Sequence, residues 1–369
     1  MPDKNATIYD IAKACGVSPA TVSRVVSNSS YPVSERTRQL VLQTARQLHY
    51  TPNLLGKSLK AQKSRDLGII IPTISNSYYS LLLQGVYDEA IAQGYNTILC
   101  NSYRKPEIEE KNINTLMAKQ VCGILLVSIG NHTEPIRRAI EHGCQVILME
   151  QDLDVDCVKV GFNFYQGAYM ATRFLIEHHH RRIGFIGAPL DRSSRIRMLE
   201  GYRQALTDHH IREIPRDICL SETERDDTRI YEFENGRAAA TYFIGMEDRP
   251  TGYVCVNDMT ALGAIRTFQS AGLSVPQDVS IIGFDNIPYS EISSPRLTTI
   301  DQCTYNMGSL STRMLVESIE EPTKPRASVT LEPTLVERDS VRTLSRIFSF
   351  SFSRQSAIIP GRRCLYVSL

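Results

Sequence analysis

The chain has 369 residues, 41 Lys/Arg against 40 Asp/Glu for a net charge of +1, and 42% hydrophobic and 22% charged side chains, proportions ordinary for a globular protein. No run of 18 apolar residues occurs, which argues against a transmembrane helix or a membrane partner. The polar start Met1–Asn5 is no export signal, so the expected location is the cytoplasm. Nine cysteines, an odd number with no C-x-x-C pair, read as reduced buried thiols, and neither a metal site nor a cofactor is expected.

Thr7 is placed to cap a first helix whose apolar residues Ile8, Ile11, Ala12 and Cys15 recur at i, i+3, i+4, i+7. Gly16-Val17-Ser18 breaks it. Ser18 then caps a second helix with Pro19 at its first position, where the missing N–H costs nothing. This helix turns Val22, Val25 and Val26 inward and offers Ala20, Thr21, Ser23, Arg24 and Ser27 on its other face. Short side chains let a helix press into the DNA major groove, where one arginine can pair bidentately with a guanine edge. The pattern is a helix-turn-helix, although a surface helix pair of a larger domain would share it. A third helix, opened by Ser34, is predicted to carry Val41, Ala45 and Leu48 inward. Beyond it Pro52 can start a short helix, but Gly56 weakens that helix by about 1 kcal/mol, so the segment should order only when something packs on it.

Charge separates this head from the rest of the chain. Residues 1–66 hold ten Lys/Arg and four acids, a net +6, whereas residues 67–341 hold 26 Lys/Arg and 36 acids, a net −10. Basic segments pair with phosphates, and an acidic remainder is kept off the polyanion.

From Leu67 short Ile/Val/Leu-rich runs alternate with amphipathic helices. Strands are predicted over Leu67–Ile71, Thr97–Cys100, Gly123–Val127, Val146–Met149, Ile183–Gly187, Tyr253–Val256 and Val279–Phe284. Helices are predicted over Leu81–Ala92, Gly167–Glu177, Arg195–Asp208, Gly236–Ile244 and Thr260–Ala271. Repeated strand–helix units imply a doubly wound α/β body, large enough for two lobes. Ligands of such sheets sit beyond the carboxyl ends of strands. That singles out Thr73–Tyr79, Pro189–Arg197, Asn257-Asp258 and Asp285-Asn286. No nucleophile–base motif, Walker loop or G-x-G-x-x-G occurs, so no enzyme is expected.

From about Thr7 to Val341 the chain resembles the lactose-repressor (LacI/GalR) family of bacterial transcription factors. The resemblance is carried by Thr7–Ala12, Gly16–Val25, Tyr50–Asn53, Asn257–Ala264, Val275–Asn286 and Leu297–Ile300, in order and at family spacing. It implies an α/β protein with a three-helix helix-turn-helix head and hinge helix, then a two-lobed, doubly wound body of periplasmic-sugar-binding type. The implied boundaries are 1–51 for the head, 52–65 for the hinge and 66–341 for the body. The implied partners are double-stranded operator DNA, near-palindromic and bound by a homodimer, and a small-molecule effector, a sugar or sugar phosphate. A solute receptor without DNA function is the alternative that the body alone would allow.

The resemblance also assigns roles. Ala20, Thr21 and Arg24 would touch base edges, and Thr7, Tyr9, Ser18 and Ser23 would hold phosphates. Asn53 and Leu59 match hinge positions that enter the minor groove, while Gly56 departs from the usual alanine. In the body, Asp285 and Asn257-Asp258 match effector contacts, Tyr78 and Tyr79 an aromatic pair facing the cleft, and Arg192 and Arg197 cations near it. Both arginines read equally well as structural ion pairs, and Asp258 as a helix cap. Met198 replaces a family arginine, and Phe162-Asn163 replaces an Asp-Asn pair. His178-His179-His180 reads as a helix end rather than a metal site. Residues 342–369, with five Arg, no acid and a Phe/Ser alternation, form an atypical basic tail expected to lack order.

Overall fold

The computed structural model describes residues 6–27, 31–50, 64–130, 132–224 and 230–345. It falls into two units, Met1–Arg65 and Asp66–Leu369.

In the first unit α1 (Ile8–Cys15), α2 (Pro19–Val26) and α3 (Glu35–Gln47) close around Ile11, Ala12, Val22, Val25, Val41 and Ala45. Local signals set every boundary. Thr7 and Asp10 cap α1 reciprocally, and Gly16 ends it at φ 65°, a left-handed turn free of Cβ strain. The Ser18 and Ser34 side chains accept from Thr21 N and Thr37 N to open α2 and α3. Leu48 departs from expectation. It is the C-cap of α3 and 39% exposed, because the helical period that would have turned it inward stops at Gln47.

The second unit holds two six-stranded sheets. The first lobe has the order β11-β5-β4-β3-β1-β2, from β1 (Asp66–Ile71), β2 (Asn96–Asn101), β3 (Gly123–Leu126), β4 (Gln145–Met149), β5 (Val158–Phe162) and β11 (Val329–Leu331), all parallel. The second lobe has the order β12-β10-β9-β8-β6-β7. It comprises β6 (Ile183–Gly187), β7 (Ile218–Leu220), β8 (Gly252–Cys255), β9 (Ser280–Asp285) and β10 (Thr298–Asp301), with β12 (Thr334–Val336) antiparallel to β10. The chain passes between lobes after β5, after β10 and between β11 and β12. All seven predicted strands are present. The five not predicted are short, and their runs are interrupted by Lys159, Cys219 or threonines.

Helices α4 (Ser77–Ala92), α5 (Pro106–Ala118), α6 (Glu134–Glu141), α7 (Phe164–Glu177), α8 (Ser193–Asp208), α9 (Tyr231–Ile244), α10 (Asp258–Ser270), α11 (Pro288–Ile292) and α12 (Thr304–Glu320) cover the sheets. The five predicted ones begin two to five residues earlier than their apolar periodicity suggested. In four of them the first turn carries polar or tyrosine side chains that line a cavity, and so breaks the period. Helix α9 lies close against α10. A Cβ on Gly236 would stand 1.9 Å from Thr260 O, so only glycine admits this approach. Both N-termini thereby reach the same cavity.

Two expectations at the chain's end need correction. His178 does close α7, but His180 is fully buried, its ring facing Thr251 Oγ1 at 2.9 Å and Arg342 O at 3.2 Å. Arg342 N donates to Ser280 Oγ and Leu344 N to His178 O. The body therefore continues to at least residue 345 rather than 341. The rest of the tail, 346–369, lies outside the described residues.

Candidate DNA-reading face and ligand cavity

In the head, packing leaves Ala20 and Arg24 exposed and Thr21 and Ser23 half-buried on α2. Thr7 and Ser18 are exposed beside their caps, and Tyr9 is 70% exposed on α1. Ser18 Oγ and Thr21 Oγ1 lie 2.9 Å apart, so the two hydroxyls form one polar step. Sequence reasoning missed Tyr31: the Arg24 guanidinium sits 4.0 Å above the centre of its ring, a cation–π contact that aims the longest side chain of the face. Asn53 and Leu59, and the hinge around them, lie outside the described residues.

In the body one cavity gathers the carboxyl ends of both sheets. Tyr78 and Tyr79, in the first turn of α4, meet edge to face with centroids 5.1 Å apart. Asn76 caps α4 and donates from Nδ2 to Glu232 Oε1 at 2.9 Å, a bond between lobes. Arg104, after β2, donates to the same oxygen at 2.6 Å. Arg192 and Arg195, at the start of α8, donate to the two oxygens of Glu224, which follows β7. Across the cavity Gln302 Nε2 donates to Asp285 Oδ1 at 2.6 Å, and Glu150 ends β4 beside Tyr78. Asn257 accepts from Thr260 N at 2.8 Å and so caps α10 at the cavity wall.

The electrostatics has two poles. Burial, then the charges of Asp258 and Glu150, push the Asp285 carboxyl well above the usual range, and burial also raises Glu150. Burial works against ionised Glu224 too, but Arg192, Arg195 and Arg104 outweigh it and hold that carboxyl low. Among the described residues, ten buried side-chain polar atoms lack a partner. Five line this one cavity: Glu150 Oε1, Arg192 Nε, Glu232 Oε2, Thr260 Oγ1 and Gln302 Oε1. Buried polar groups are normally satisfied, so their concentration here marks a seat for a polar ligand.

Of the residues singled out from sequence, Tyr78, Tyr79, Arg192, Asn257 and Asp285 are brought together. Two are not. Arg197 is two-thirds exposed, pairs with Glu200 at 3.0 Å, and lines with Lys159 and Asn163 an adjoining opening that shares Glu150, Phe164 and Ser194 with the cavity. It lies two residues past Arg195, so the helix turns it to another face. Asp258 neither caps α10 nor reaches the cavity. It is fully buried and accepts from Ile287 N, Ser290 Oγ and Thr299 Oγ1 at 2.9, 2.6 and 2.5 Å. At the departures from the family pattern, Phe162 packs on Phe164 and Phe284, and Asn163 caps α7. Met198 is buried on the cavity wall, one turn beyond Arg195. The cavity residues missed from sequence, Arg104, Glu150, Glu224, Glu232 and Gln302, sit in loops after strands or in first turns, and Arg195 lies in the stretch singled out but was passed over for Arg197. Extending the strand-end rule to the predicted strands β2 and β4 would have found Arg104 and Glu150; β7 and β10 were not predicted, so Glu224 and Gln302 left no such signal.

Residues 7–53 match the family model described as bacterial regulatory proteins, lacI family, and residues 172–341 match the periplasmic binding protein-like domain. The HTH-type transcriptional repressor PurR of Vibrio atlanticus (strain LGP32) is 33% identical over 343 residues, 92% of this chain and all of that protein. The chain belongs to the LacI family. This LacI-family protein is a DNA-binding transcriptional regulator with an effector-binding body. Its fold matches a Lac repressor dimer bound to operator and the anti-inducer ONPF, at TM-score 0.80 and 24% identity over 92% of this chain and all of that one. The transcriptional regulator CelR in its cellobiose complex aligns at TM-score 0.68 and 25% identity, over 91% of this chain and all of that one. Among the described residues no helix is long and apolar enough to cross a membrane, and no group of three His, Cys, Asp or Glu could hold a metal ion.

Proposed function

We propose that this regulator represses metabolic genes by binding a near-palindromic operator as a homodimer, and that a sugar or sugar derivative in the body's cavity controls that binding. The observation that carries the effector half is the set of five buried, unpartnered polar atoms around one cavity. A polyhydroxylated ring lying against Tyr78 and Tyr79 would satisfy them, and the cellobiose held by the CelR neighbour supports a saccharide. In this reading the head is 1–51, the hinge 52–65 and the body begins at 66. Ala20, Thr21 and Arg24 read bases, Thr7, Tyr9, Ser18 and Ser23 hold phosphates, and Asn53 and Leu59 enter the minor groove. The protein acts in the cytoplasm, without catalysis.

Asp285 separates switch from scaffold. In a thermal-shift screen of the full chain against sugars, a ligand that binds only the folded state raises the melting temperature. Asp285→Ala should keep the fold and the gel shift on operator DNA while losing the response to that ligand, because head and cavity are distinct sites coupled only through conformation. An Asp285→Ala protein that still responds would move the pocket elsewhere. No gel shift by the wild type at moderate salt would leave a solute receptor instead.

A further inference from the structure

The arginine pole does more than a neutral sugar would require. Arg192 and Arg195 at the start of α8 pair with the carboxylate of Glu224, and Arg104 after β2, paired with Glu232 at 2.6 Å, lies beside it; the three side chains are only 5–11% exposed. Arg192 meets Glu224 Oε2 at 2.5 Å, Arg195 meets Oε1, and Arg104 Nε stands 3.9 Å from Oε2. Planar guanidinium groups on both oxygens are the arrangement that recognises a free carboxylate. Glu224 reaches this position from the loop after β7 rather than from a helix or strand. The free space left in the cavity is about 80 Å³, whereas small-molecule sites hold roughly 300 Å³ or more. Something of the protein's own therefore fills the seat.

We propose that the effector carries an anionic group, and that Glu224 occupies the place this group takes when the effector binds. The inference rests on the reading of this cavity as the effector site. Charge balance favours an anion. Arg104 keeps Glu232 at 2.6 Å and Arg195 keeps Asp191 at 2.8 Å, but a neutral ligand that pushed Glu224 aside would take from buried Arg192 the carboxylate it pairs with at 2.5 Å, which is strongly unfavourable. An anion exchanges one carboxylate for another and keeps Arg192 paired. Arg192 Nε, buried without a partner, is a donor Glu224 does not use and a larger anionic group can reach. At the opposite pole Glu150 and Gln302 present acceptors without donors, and Glu232 Oε2 adds one beside Arg104; these suit the hydroxyls of the same molecule. The effector is thus an acidic sugar, held by its acid at one end and its hydroxyls at the other.

Replacing Glu224 with alanine empties the seat and makes acetate a direct probe. In the full-length Glu224→Ala protein, acetate should raise the melting temperature by a few degrees, while acetamide and chloride at matched ionic strength should not. Wild type should need about tenfold more acetate for the same shift, because Glu224 competes. Inorganic phosphate in the same assay tells whether a phosphoryl group serves as well as a carboxylate. Glu224→Gln, which keeps the side chain's shape, serves if the alanine protein does not fold, and it should show the same preference for acetate over acetamide. Equal effects of acetate and acetamide on the folded variant would overturn the proposal. Its failure is distinguishable from failure of the effector-site reading. Stabilisation of wild type by D-glucose but not D-glucuronate, with altered operator binding, leaves the site and removes the anion. Acetate binding that leaves operator affinity unchanged leaves the anion and removes the site's regulatory role.

Discussion

The head and the body solve the problem of placing functional side chains in opposite ways. In the head every candidate DNA contact lies within 18 residues, Thr7 to Arg24, and the elements that aim them are set by neighbours three residues away: Thr7 with Asp10, Ser18 with Thr21. In the body the cavity draws on residues from Asn76 to Gln302 and on both sheets. A local site tolerates change because each part is held by a short segment. A site assembled from strand ends depends on a buried framework behind it. Asp258 belongs to that framework, joining α10 to α11 and β10 without touching the cavity.

This contrast can be broken, beginning with the largest effect. Asp258→Ala strands Ile287 N and Ser290 Oγ in the interior and leaves Thr299 Oγ1 only long bonds to Asn286 N and Ile300 O, and at about 1–3 kcal/mol for a buried unpaired group the body should lose about 4 kcal/mol in urea unfolding. A loss under about 1 kcal/mol would show that the framework is not rigid.

Acid should act next, again on the body. Burial lowers the His180 pKa from 6.5 to about 4. The folded state thus binds the neutral ring, and stability is full above pH 6.5 and lost as pH falls towards 4. Those two and a half units correspond to about 3 kcal/mol. His180→Asn should flatten the stability–pH curve over that interval relative to wild type, measured by thermal melts. Parallel curves would place the acid sensitivity in other groups.

The head should respond more mildly and only on DNA. Arg24→Ala should cost about 1–3 kcal/mol on operator DNA and far less on random DNA. Equal losses on both would make Arg24 a phosphate contact. Tyr31→Ala removes the ring beneath its guanidinium and should cost about 0.5–1 kcal/mol on operator, with head stability little changed. An unchanged affinity would mean the ring does not aim the arginine on DNA.

Legibility followed the same division. The three head helices and their caps were readable because side chains bonding three residues along the chain leave a local trace. Leu48 failed because only the end of α3 decides whether its period continues. In the body, strands β1, β3, β4, β6, β8 and β9 were visible as buried apolar runs, and β2 as an apolar run although it is only partly buried. β10 was not, since Thr298 and Thr299 are fully buried yet polar, their hydroxyls satisfied by partners 40 or more residues away. Tyr78, Tyr79, Arg192, Asn257 and Asp285 were found by the strand-end rule. Arg197 was preferred to Arg195, and only the rotation of α8 distinguishes two arginines two positions apart.

The sequence by itself determined the helix-turn-helix, the charge division between head and body, the doubly wound architecture and the family, because periodicity, capping and motif spacing are properties of contiguous segments. Tertiary structure alone decided that Asp258 supports rather than lines the cavity, that His180 is buried against Arg342, and that Arg192 and Arg195 pair with Glu224 beside Arg104. Pairings between residues far apart in the chain leave no periodic signal. They exist only once crossovers bring the ends of two sheets together and burial makes each unpaired charge too costly to leave alone.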